Sequence, residues 1–166
     1  MAYIIDTPVV GAQPIGTTET TQYHPIGTIV KAKDPLLGEG EFIYLKGVAS
    51  TAVGDLVGYQ SLAGSGTTVN ATSTRTVAAT RGPVAVAMSA NVANQFGWYQ
   101  IAGNAVINCA AAIAANALIY ATSATAGSVS TVTASQKVDG AVCIVASAGA
   151  GTINAQINRP SLNGNG

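Results

Sequence analysis

The stretch Ile26–Lys46, IGTIVKAKDPLLGEGEFIYLK, contains two runs of β-branched and aromatic residues separated by a turn. The runs Ile26–Lys33 and Glu41–Lys46 are rich in residues that favour strands. Between them, Gly38-Glu39-Gly40 supplies glycines that can adopt positive φ and close a hairpin. Four apolar residues follow one another in Phe42-Ile43-Tyr44-Leu45, which is typical of a strand buried on both faces. The stretch therefore predicts a β-hairpin with a fully buried second strand.

The same pattern continues along the chain, with short apolar runs separated by Gly, Asn, Pro and Asp. Short strands at this spacing predict an all-β sandwich or barrel. Alanine-rich Cys109–Asn116 is the one plausible helical turn, and Leu62–Arg81 predicts a long loop or weak hairpin. The further predicted strands are Leu56–Gln60, Val84–Ser89, Phe96–Ile101, Ala105–Asn108, Ala117–Thr122, Ser128–Thr133, Val138–Ala146 and Thr152–Asn158.

The chain divides by composition into three parts. Residues 1–22 hold Pro8, Pro14 and a Thr-rich tract, which predicts an extended N-terminal arm that offers little to a core. Residues 23–160 are expected to form a single β-domain, and residues 161–166 a flexible C-terminal tail. The arm begins with apolar Tyr3-Ile4-Ile5, so it is expected to become ordered on a partner, although a frayed terminus without a role is the alternative.

Charge is the unusual feature of the composition. Asp, Glu, Lys and Arg make up 8% of the 166 residues, and seven of each sign give a net charge of zero. In a typical domain, these four residue types make up about 25% of the residues. Proteins near zero net charge lose the repulsion that keeps monomers apart, so this surface favours lasting protein contacts. Because counterion release needs clustered Lys and Arg, the sequence argues against binding to nucleic acid.

The N-terminal sequence has no basic region ahead of its short apolar run, and Asp6 and Pro8 interrupt that run. It predicts neither a secretory signal nor a membrane anchor, and the chain contains no apolar run of about 18 residues. The two cysteines, Cys109 and Cys143, are expected to be free thiols of a protein made in a cytoplasm.

The sequence offers few groups for catalysis. His24 is the single histidine, and it precedes Pro25, so a structural or hydrogen-bonding role at a turn is expected. Cys109 and Cys143 lie in apolar runs and are expected in the core. Two cysteines do not supply the ligand set of a zinc site. Most carboxylates stand at predicted turns, and no phosphate-binding or nucleophile motif occurs. We therefore predict no catalytic residue, no cofactor and no metal.

Three later segments resemble small virion proteins of tailed bacteriophages, the capsid decoration or cement proteins. They are Gly82–Met88 (GPVAVAM), Phe96–Gly103 (FGWYQIAG) and Gln156–Pro160 (QINRP), and Gly40–Gly47 (GEFIYLKG) also fits. The resemblance covers about residues 26–160. It implies a β-barrel or β-tulip-like module that binds the outside of an icosahedral head, often as a trimer, and clamps neighbouring major capsid subunits. It carries over no catalytic residue, because such families have none.

The resemblance leads us to expect a structural protein of the virion, on the outer surface of the capsid and made in the host bacterial cytoplasm. Its expected partners are the major capsid protein and, in a homotrimer, itself. The candidate capsid contacts in the arm are Tyr3, Ile4, Ile5 and Pro8, and the candidate core or intersubunit anchors are Phe96, Trp98 and Tyr99.

Two other classes stay open on the sequence. One is another virion component with a charge-poor β surface, such as a head fibre base or a tail-tube or tail-spike part. The other is a carbohydrate-binding module or a hydrolase, which would need an aromatic platform or paired acids. Trp98 is the only tryptophan, which disfavours this last class.

Overall fold

The computed structural model describes residues 4–5, 13–47, 49–59, 81–122, 125–131 and 136–162. These residues form ten β-strands and no helix, so the all-β prediction is confirmed. The strands are β1 (Ile4–Ile5), β2 (Ile29–Asp34), β3 (Gly38–Lys46), β4 (Leu56–Gly58), β5 (Gly82–Ala87), β6 (Phe96–Cys109), β7 (Leu118–Ala121), β8 (Val129–Ser130), β9 (Gln136–Val145) and β10 (Gly151–Leu162).

The described strands belong to one sheet, in the order β1-β2-β3-β6-β8-β7-β9-β10-β5-β4. Further pairings of β6 with β10 and with β5 turn part of this sheet back on itself. Strands β6, β8, β7, β9 and β10 thereby form a ring, which the parallel pairing of Cys109 with Val129 completes. This arrangement agrees with the predicted barrel or sandwich-like domain.

Three hydrophobic clusters hold the sheet together. The largest draws side chains from every strand of the ring, among them Ile107, Ile119 and Ile153. The other two lie on opposite faces where β3 and β6 pair, because neighbouring residues of a strand point to opposite sides. Tyr99 belongs to one of these clusters and Trp98 to the other, and neither side chain is exposed. This part of the sheet is thus buried on both faces, as predicted from the apolar run in β3.

A line of bulges bends the sheet where the ring begins. Gly103, Arg159 and Gly140 have positive φ of 102°, 45° and 76°. Ile157, close to Arg159 in β10, lies opposite Gly103 on one side and Ala141 on the other, so the three positions are neighbours across β6, β10 and β9. The register of β10 with β9 shifts between Ile157 and Ser161, and that of β6 with β3 shifts next to Gly103, between Gln100 and Ala102. The buried positions change from even to odd numbers across Gly140, and from odd to even across Arg159. Because a bulge bends a strand and increases its twist, the aligned bulges let the far halves of these strands curve into a ring.

Replacing Gly103 is expected to destabilise the domain by about 3 kcal/mol, because strained backbone and a steric clash add. A Cβ at this position would collide with the Glu39 carbonyl oxygen, and the φ of 102° already disfavours a side chain. The matched control is Gly27→Ala, at a φ of 89° with nothing within 4 Å of the new Cβ. Gly27→Ala is expected to lower the free energy of unfolding by about 1–2 kcal/mol, because it introduces only the strain of a side chain at positive φ. Chemical denaturation measures the free energy of unfolding of Gly103→Ala and Gly27→Ala. If the two variants lose the same amount of stability, the steric clash at Gly103 has no part in it.

Two predictions in the middle of the chain differ from the structure. The segments predicted as separate strands, Phe96–Ile101 and Ala105–Asn108, form the single strand β6. The register of β6 with β3 shifts between Gln100 and Ala102, next to Gly103, and this bulge keeps the strand continuous while its direction changes. The predicted helical turn is absent from residues 109–116, where Ile113 instead forms a β-bridge with Ser147. Pairing with Ser147 thus outweighs the local preference of alanine for a helix, which is weak in so short a segment. The predicted loop at 62–81 lies outside the described residues, apart from Arg81.

The ends of the domain also differ from the predicted boundaries. Ile15 is 2% exposed and belongs to a core cluster, and Gln13 is 4% exposed, so these two residues of the predicted arm contribute to the interior of the domain. The predicted tail begins later than residue 161, because Ser161 and Leu162 pair in β10 and Leu162 is fully buried. The buried positions of β10 continue past Arg159, but the bulge there moves them from odd to even numbers. A search for strict alternation therefore ends the strand too early.

Candidate functional site

Gln13 fastens the segment before the first long strand onto the sheet. Its side-chain Nε2 donates hydrogen bonds to the carbonyl oxygens of Thr17 (2.7 Å) and Phe96 (3.1 Å). Its Oε1 accepts one from the Tyr44 hydroxyl at 3.1 Å, and its carbonyl oxygen accepts one from Trp98 Nε1 at 2.8 Å. Gln13 is 4% exposed, so these bonds satisfy a buried polar side chain. The network fixes residues 13–24 over one face of the sheet.

His24 packs within this network rather than beside a nucleophile. Its ring lies 5.1 Å from the Tyr44 ring in an edge-on arrangement and 5.4 Å from the Trp98 ring. Its Nε2 accepts a hydrogen bond from the Gln13 backbone N–H at 3.4 Å, and the side chain is 7% exposed. His24 therefore has the hydrogen-bonding role expected from its place before Pro25.

The two cysteines are free thiols in the interior of the ring. Cys109 Sγ donates to the Gly149 carbonyl oxygen at 3.5 Å, and Cys143 Sγ to that of Val145 at 3.4 Å. Burial, followed by the nearby Cys109, raises the pKa of the Cys143 thiol. Because the thiolate is the nucleophile, this environment disfavours reactivity at Cys143.

Two of the carboxylates cap turns, as their sequence positions predict. Asp34 Oδ1 accepts hydrogen bonds from the backbone N–H groups of Leu36 and Leu37 at 2.8 and 2.9 Å. Asp55 is 1% exposed, and its Oδ2 accepts one from the Ala52 N–H at 2.9 Å. Both carboxylates stabilise local backbone structure.

A charged groove lies at the bulge line. Arg159 Nη2 contacts Glu41 Oε2 at 2.7 Å, while Lys31 Nζ lies 3.7 Å from Glu39 Oε1 and 3.9 Å from Glu41 Oε1. The groove has a volume of about 330 Å³. Exposed ion pairs of this kind contribute about 0–1 kcal/mol each. Cations stand beside both carboxylates, so Glu39 and Glu41 form part of a neutral ion-pair network. The lining residues are Glu39, Gly40, Glu41, Ala102, Gly103, Asn158 and Arg159.

The outer edge of β2 carries an exposed surface of mixed character. In β2, Ile29, Lys31 and Lys33 alternate with buried residues. Ile4 of β1 lies opposite Lys33 and therefore on the same face, and its side chain is 70% exposed. We call these four residues the edge surface. It combines two large apolar side chains with two lysines.

A second exposed surface, on β7 and β9, has no charge. Leu118, Ile144 and Val145 are 49%, 42% and 54% exposed. Val145 directly precedes Ala146, which lines a shallow groove of about 620 Å³, and we call these three residues and the groove the neutral face. The sequence contains no Asp, Glu, Lys or Arg at positions 82–136 or 140–158. The groove is lined by Ala112, Ile113, Ala114, Thr131, Ala146, Ser147 and Ala148.

The candidate site residues predicted from the sequence lie in different parts of the structure. Ile4 is exposed on the edge surface and Ile5 pairs with Ala32, whereas Tyr3 and Pro8 lie outside the described residues. Trp98 and Tyr99 are fully buried on opposite faces of one strand, and Phe96 is half-buried beside Tyr44, with ring centroids 6.3 Å apart. Within one protomer, the aromatic pair therefore packs into the interior.

The neutral face was not predicted from the sequence. Its exposed apolar residues stand in segments correctly predicted as strands, where an apolar residue is ordinarily assigned to the core. The absence of charge along residues 82–136 was the available signal, because a fully buried segment and an interface both lack charge.

The Tyr99 hydroxyl is buried next to the Asn91 side chain, and among the described residues neither group has a partner in full hydrogen-bond geometry. Burial raises the pKa of Tyr99 from 10.0 to about 12, while the neighbouring Asn91 acts in the opposite direction. The folded state thus disfavours the phenolate. The contribution of Tyr99 to stability is fully present below pH 10 and is lost as the pH rises through 12.

Tyr99→Phe is therefore expected to reduce the alkaline loss of stability. Between pH 9 and pH 11.5, the wild type should lose about 2 kcal/mol more unfolding free energy than the variant. At neutral pH, the variant should be at least as stable, since it removes an unsatisfied buried hydroxyl. Urea denaturation at both pH values measures this difference, with the exposed Tyr23→Phe as the control for losing a phenol. Parallel pH dependence of Tyr99→Phe and the wild type would contradict the assignment.

Within the described ranges, no three His, Cys, Asp or Glu side chains are placed to hold a metal ion. The same residues include no helix that is long and apolar enough to span a membrane. Comparisons with protein-family models, with curated proteins and with solved structures find no match to this chain.

Proposed function

We propose that this chain is a structural virion protein that binds the outer surface of a phage head and stabilises it by bridging major capsid subunits. In this role the chain acts by contact and performs no chemistry. It associates as a homotrimer, and residues of the N-terminal segment contact the shell.

The observation that carries the proposal is the presence of two exposed apolar surfaces. In the sheet order, β2 of the edge surface lies four places from β7 and five places from β9, the two strands of the neutral face. A bridging protein needs two separate contact surfaces, and exposed apolar patches mark protein interaction sites. By contrast, His24, Cys109 and Cys143 are buried in packing arrangements. The single histidine and both cysteines are therefore not accessible, whereas the apolar side chains suited to adhesion are.

The segments that carry the resemblance to decoration proteins also support the proposal. GPVAVAM covers β5, FGWYQIAG begins β6 and QINRP lies in β10. These three strands pair with one another in every combination. The similar segments therefore form one continuous unit at the bulge line, as expected if they preserve a common framework.

The edge surface suits contact with a shell of different composition. Ile4 and Ile29 offer apolar area, while Lys31 and Lys33 stand beside them on the same face. Mixed apolar and charged surfaces are typical of interfaces between different proteins, where charge sets orientation and specificity. In this account, β1 and β2 form the side that faces the capsid.

Cosedimentation with expanded heads prepared without this protein tests the proposal. The full chain is expected to bind saturably, in hundreds of copies per head, and to raise the temperature at which the heads break open. Saturation at six or twelve copies would instead indicate a head fibre base or a tail component. Absence of binding to heads and tails would overturn the virion role, and a glycan-binding screen then tests the carbohydrate-binding class.

A further inference from the structure

We propose that copies of this chain associate with one another through the neutral face. This inference deepens the proposed function, on which it rests, by assigning the self-association to a particular surface. The occupants of the face are further copies of the same chain, each of which contributes the same residues around the symmetry axis.

A bulge in β9 creates the exposed apolar surface. The pairing of β9 with β10 shifts between Cys143, opposite Ala155, and Val145, opposite Asn154, so Ile144 is the extra residue. A bulge interrupts the alternation of a strand. Consequently Ile144 and Val145 are both exposed, although they are consecutive. A regular strand would have turned one of them into the ring.

Leu118 extends this surface across the next strand. It pairs with Val142 of β9, so Ile144, two residues further along, is its diagonal neighbour at about 7–8 Å. The backbone of Ala117 and that of Asn116 each bond to Cys143, at 3.1 and 2.8 Å, which fixes the spacing of the two segments. The three apolar side chains therefore form a contiguous patch on a rigid part of the sheet.

The charge distribution identifies a second copy as the occupant. In a symmetric contact, each residue near the axis meets its own copy, so any charge there meets a like charge. The positions that form the neutral face, 112–118, 131 and 142–148, include no charged residue, and the two charged residues of β9, Lys137 and Asp139, form an ion pair with each other at 3.0 Å. The face therefore meets itself without repulsion. Interfaces between identical subunits are also more apolar than those between different proteins. The edge surface, with Lys31 and Lys33, has the opposite character.

The oligomeric state of the free protein tests the inference without heads. The variants Leu118→Lys and Ile144→Lys place a charge on the patch, where symmetry brings it to its own copy. The matched control is Leu36→Lys, which changes the most exposed large apolar side chain among the described residues, at 93%, in the turn between β2 and β3. All three sites are solvent-accessible in the protomer, so the variants are expected to fold, and circular dichroism and thermal unfolding monitor this.

Native mass spectrometry and light scattering across the micromolar to millimolar range should find an oligomer for the wild type and for Leu36→Lys. The two neutral-face variants should associate about 100-fold more weakly, because each buries an unpaired charge. A monomeric wild type, or unchanged association of both variants, would overturn the inference. So would intact oligomers of Leu118→Lys that fail to bind heads, since the face would then belong to the shell contact. If the wild type forms the oligomer but does not bind heads, the proposed function fails and the assigned self-association surface stands.

Discussion

Deleting residues 2–12 is expected to abolish binding to expanded heads while leaving a folded β-domain. The deletion removes β1, whose Ile4 contributes to the edge surface. It retains Gln13 and Ile15, which fasten the following segment to the core. Because the described residues of β1, Ile4 and Ile5, form one short pairing with β2, the loss of stability should stay below about 1 kcal/mol. The affinity of the protein for expanded heads should fall by about 100-fold or more, because the deletion removes a central contact of the proposed interface.

Two controls separate binding from folding in this experiment. Deleting residues 2–22 also removes Gln13 and Ile15, so that longer deletion should unfold or strongly destabilise the domain. The single substitution Ile4→Asp leaves the chain length unchanged and should reproduce most of the loss of head binding. Cosedimentation and thermal unfolding are measured on each variant. If the 2–12 deletion keeps wild-type head affinity, the N-terminal segment has no part in capsid contact.

Trp98→Ala is expected to destabilise the domain by about 4 kcal/mol, as for other fully buried aromatic residues. The indole is unexposed, and its ring centroid lies 5.0 Å from that of Tyr44. Its Nε1 donates a 2.8 Å hydrogen bond to the Gln13 carbonyl oxygen, which holds the N-terminal segment in place. Chemical denaturation should show the lower stability, and protease digestion should cut residues 13–24 first, since they lose their packing partner.

Trp98→Phe separates the two contributions of the indole. Phenylalanine keeps most of the apolar contact and loses the hydrogen bond, so it should cost about 1–2 kcal/mol. The interpretation of Trp98 as an interior residue requires that both variants lose stability as isolated protomers. If Trp98→Ala unfolds like the wild type but fails to oligomerise, Trp98 is instead an intersubunit anchor.

The sequence predicts the central sheet well, because burial on both faces leaves a clear local signal. Uninterrupted apolar runs in β3 and in the first half of β6 identify strands that contact the core on either side. The buried aromatic residues Trp98 and Tyr99 follow from the same runs. These features depend on neighbouring residues alone, so they can be recognised without the fold.

The closure of the ring could not be predicted in the same way. It depends on Gly103, Gly140 and Arg159 being neighbours across three strands, which requires the register of pairings distant in sequence. The bulges at Gly140 and Arg159 also shift the alternation of their strands, so a fixed period of two ends β10 too early. In β6, the half-buried residues Ala102–Asn104 interrupt the buried run, so the sequence pattern divides this strand. Similarly, nothing local marks Gln13 as buried, because its partners Phe96 and Trp98 lie more than 80 positions away.

The candidate contact surfaces were predicted only in part. The N-terminal apolar residues stood out because they precede a region unsuited to a core, and Ile4 is indeed exposed. The neutral face did not stand out, because the exposure of Ile144 and Val145 comes from a bulge rather than from their sequence pattern. Composition favours a protein that works by contact, but the candidate surfaces for the proposed contact emerge only from the three-dimensional arrangement.

An image reconstruction of heads that carry this protein tests the central claim most directly. We expect density for the β-domain on the outer surface at the local three-fold positions, bridging neighbouring major capsid subunits. The edge surface should face the shell, and the neutral faces of adjacent copies should meet around the axis. Heads without density for this chain, or density confined to a tail or a single vertex, would contradict the account.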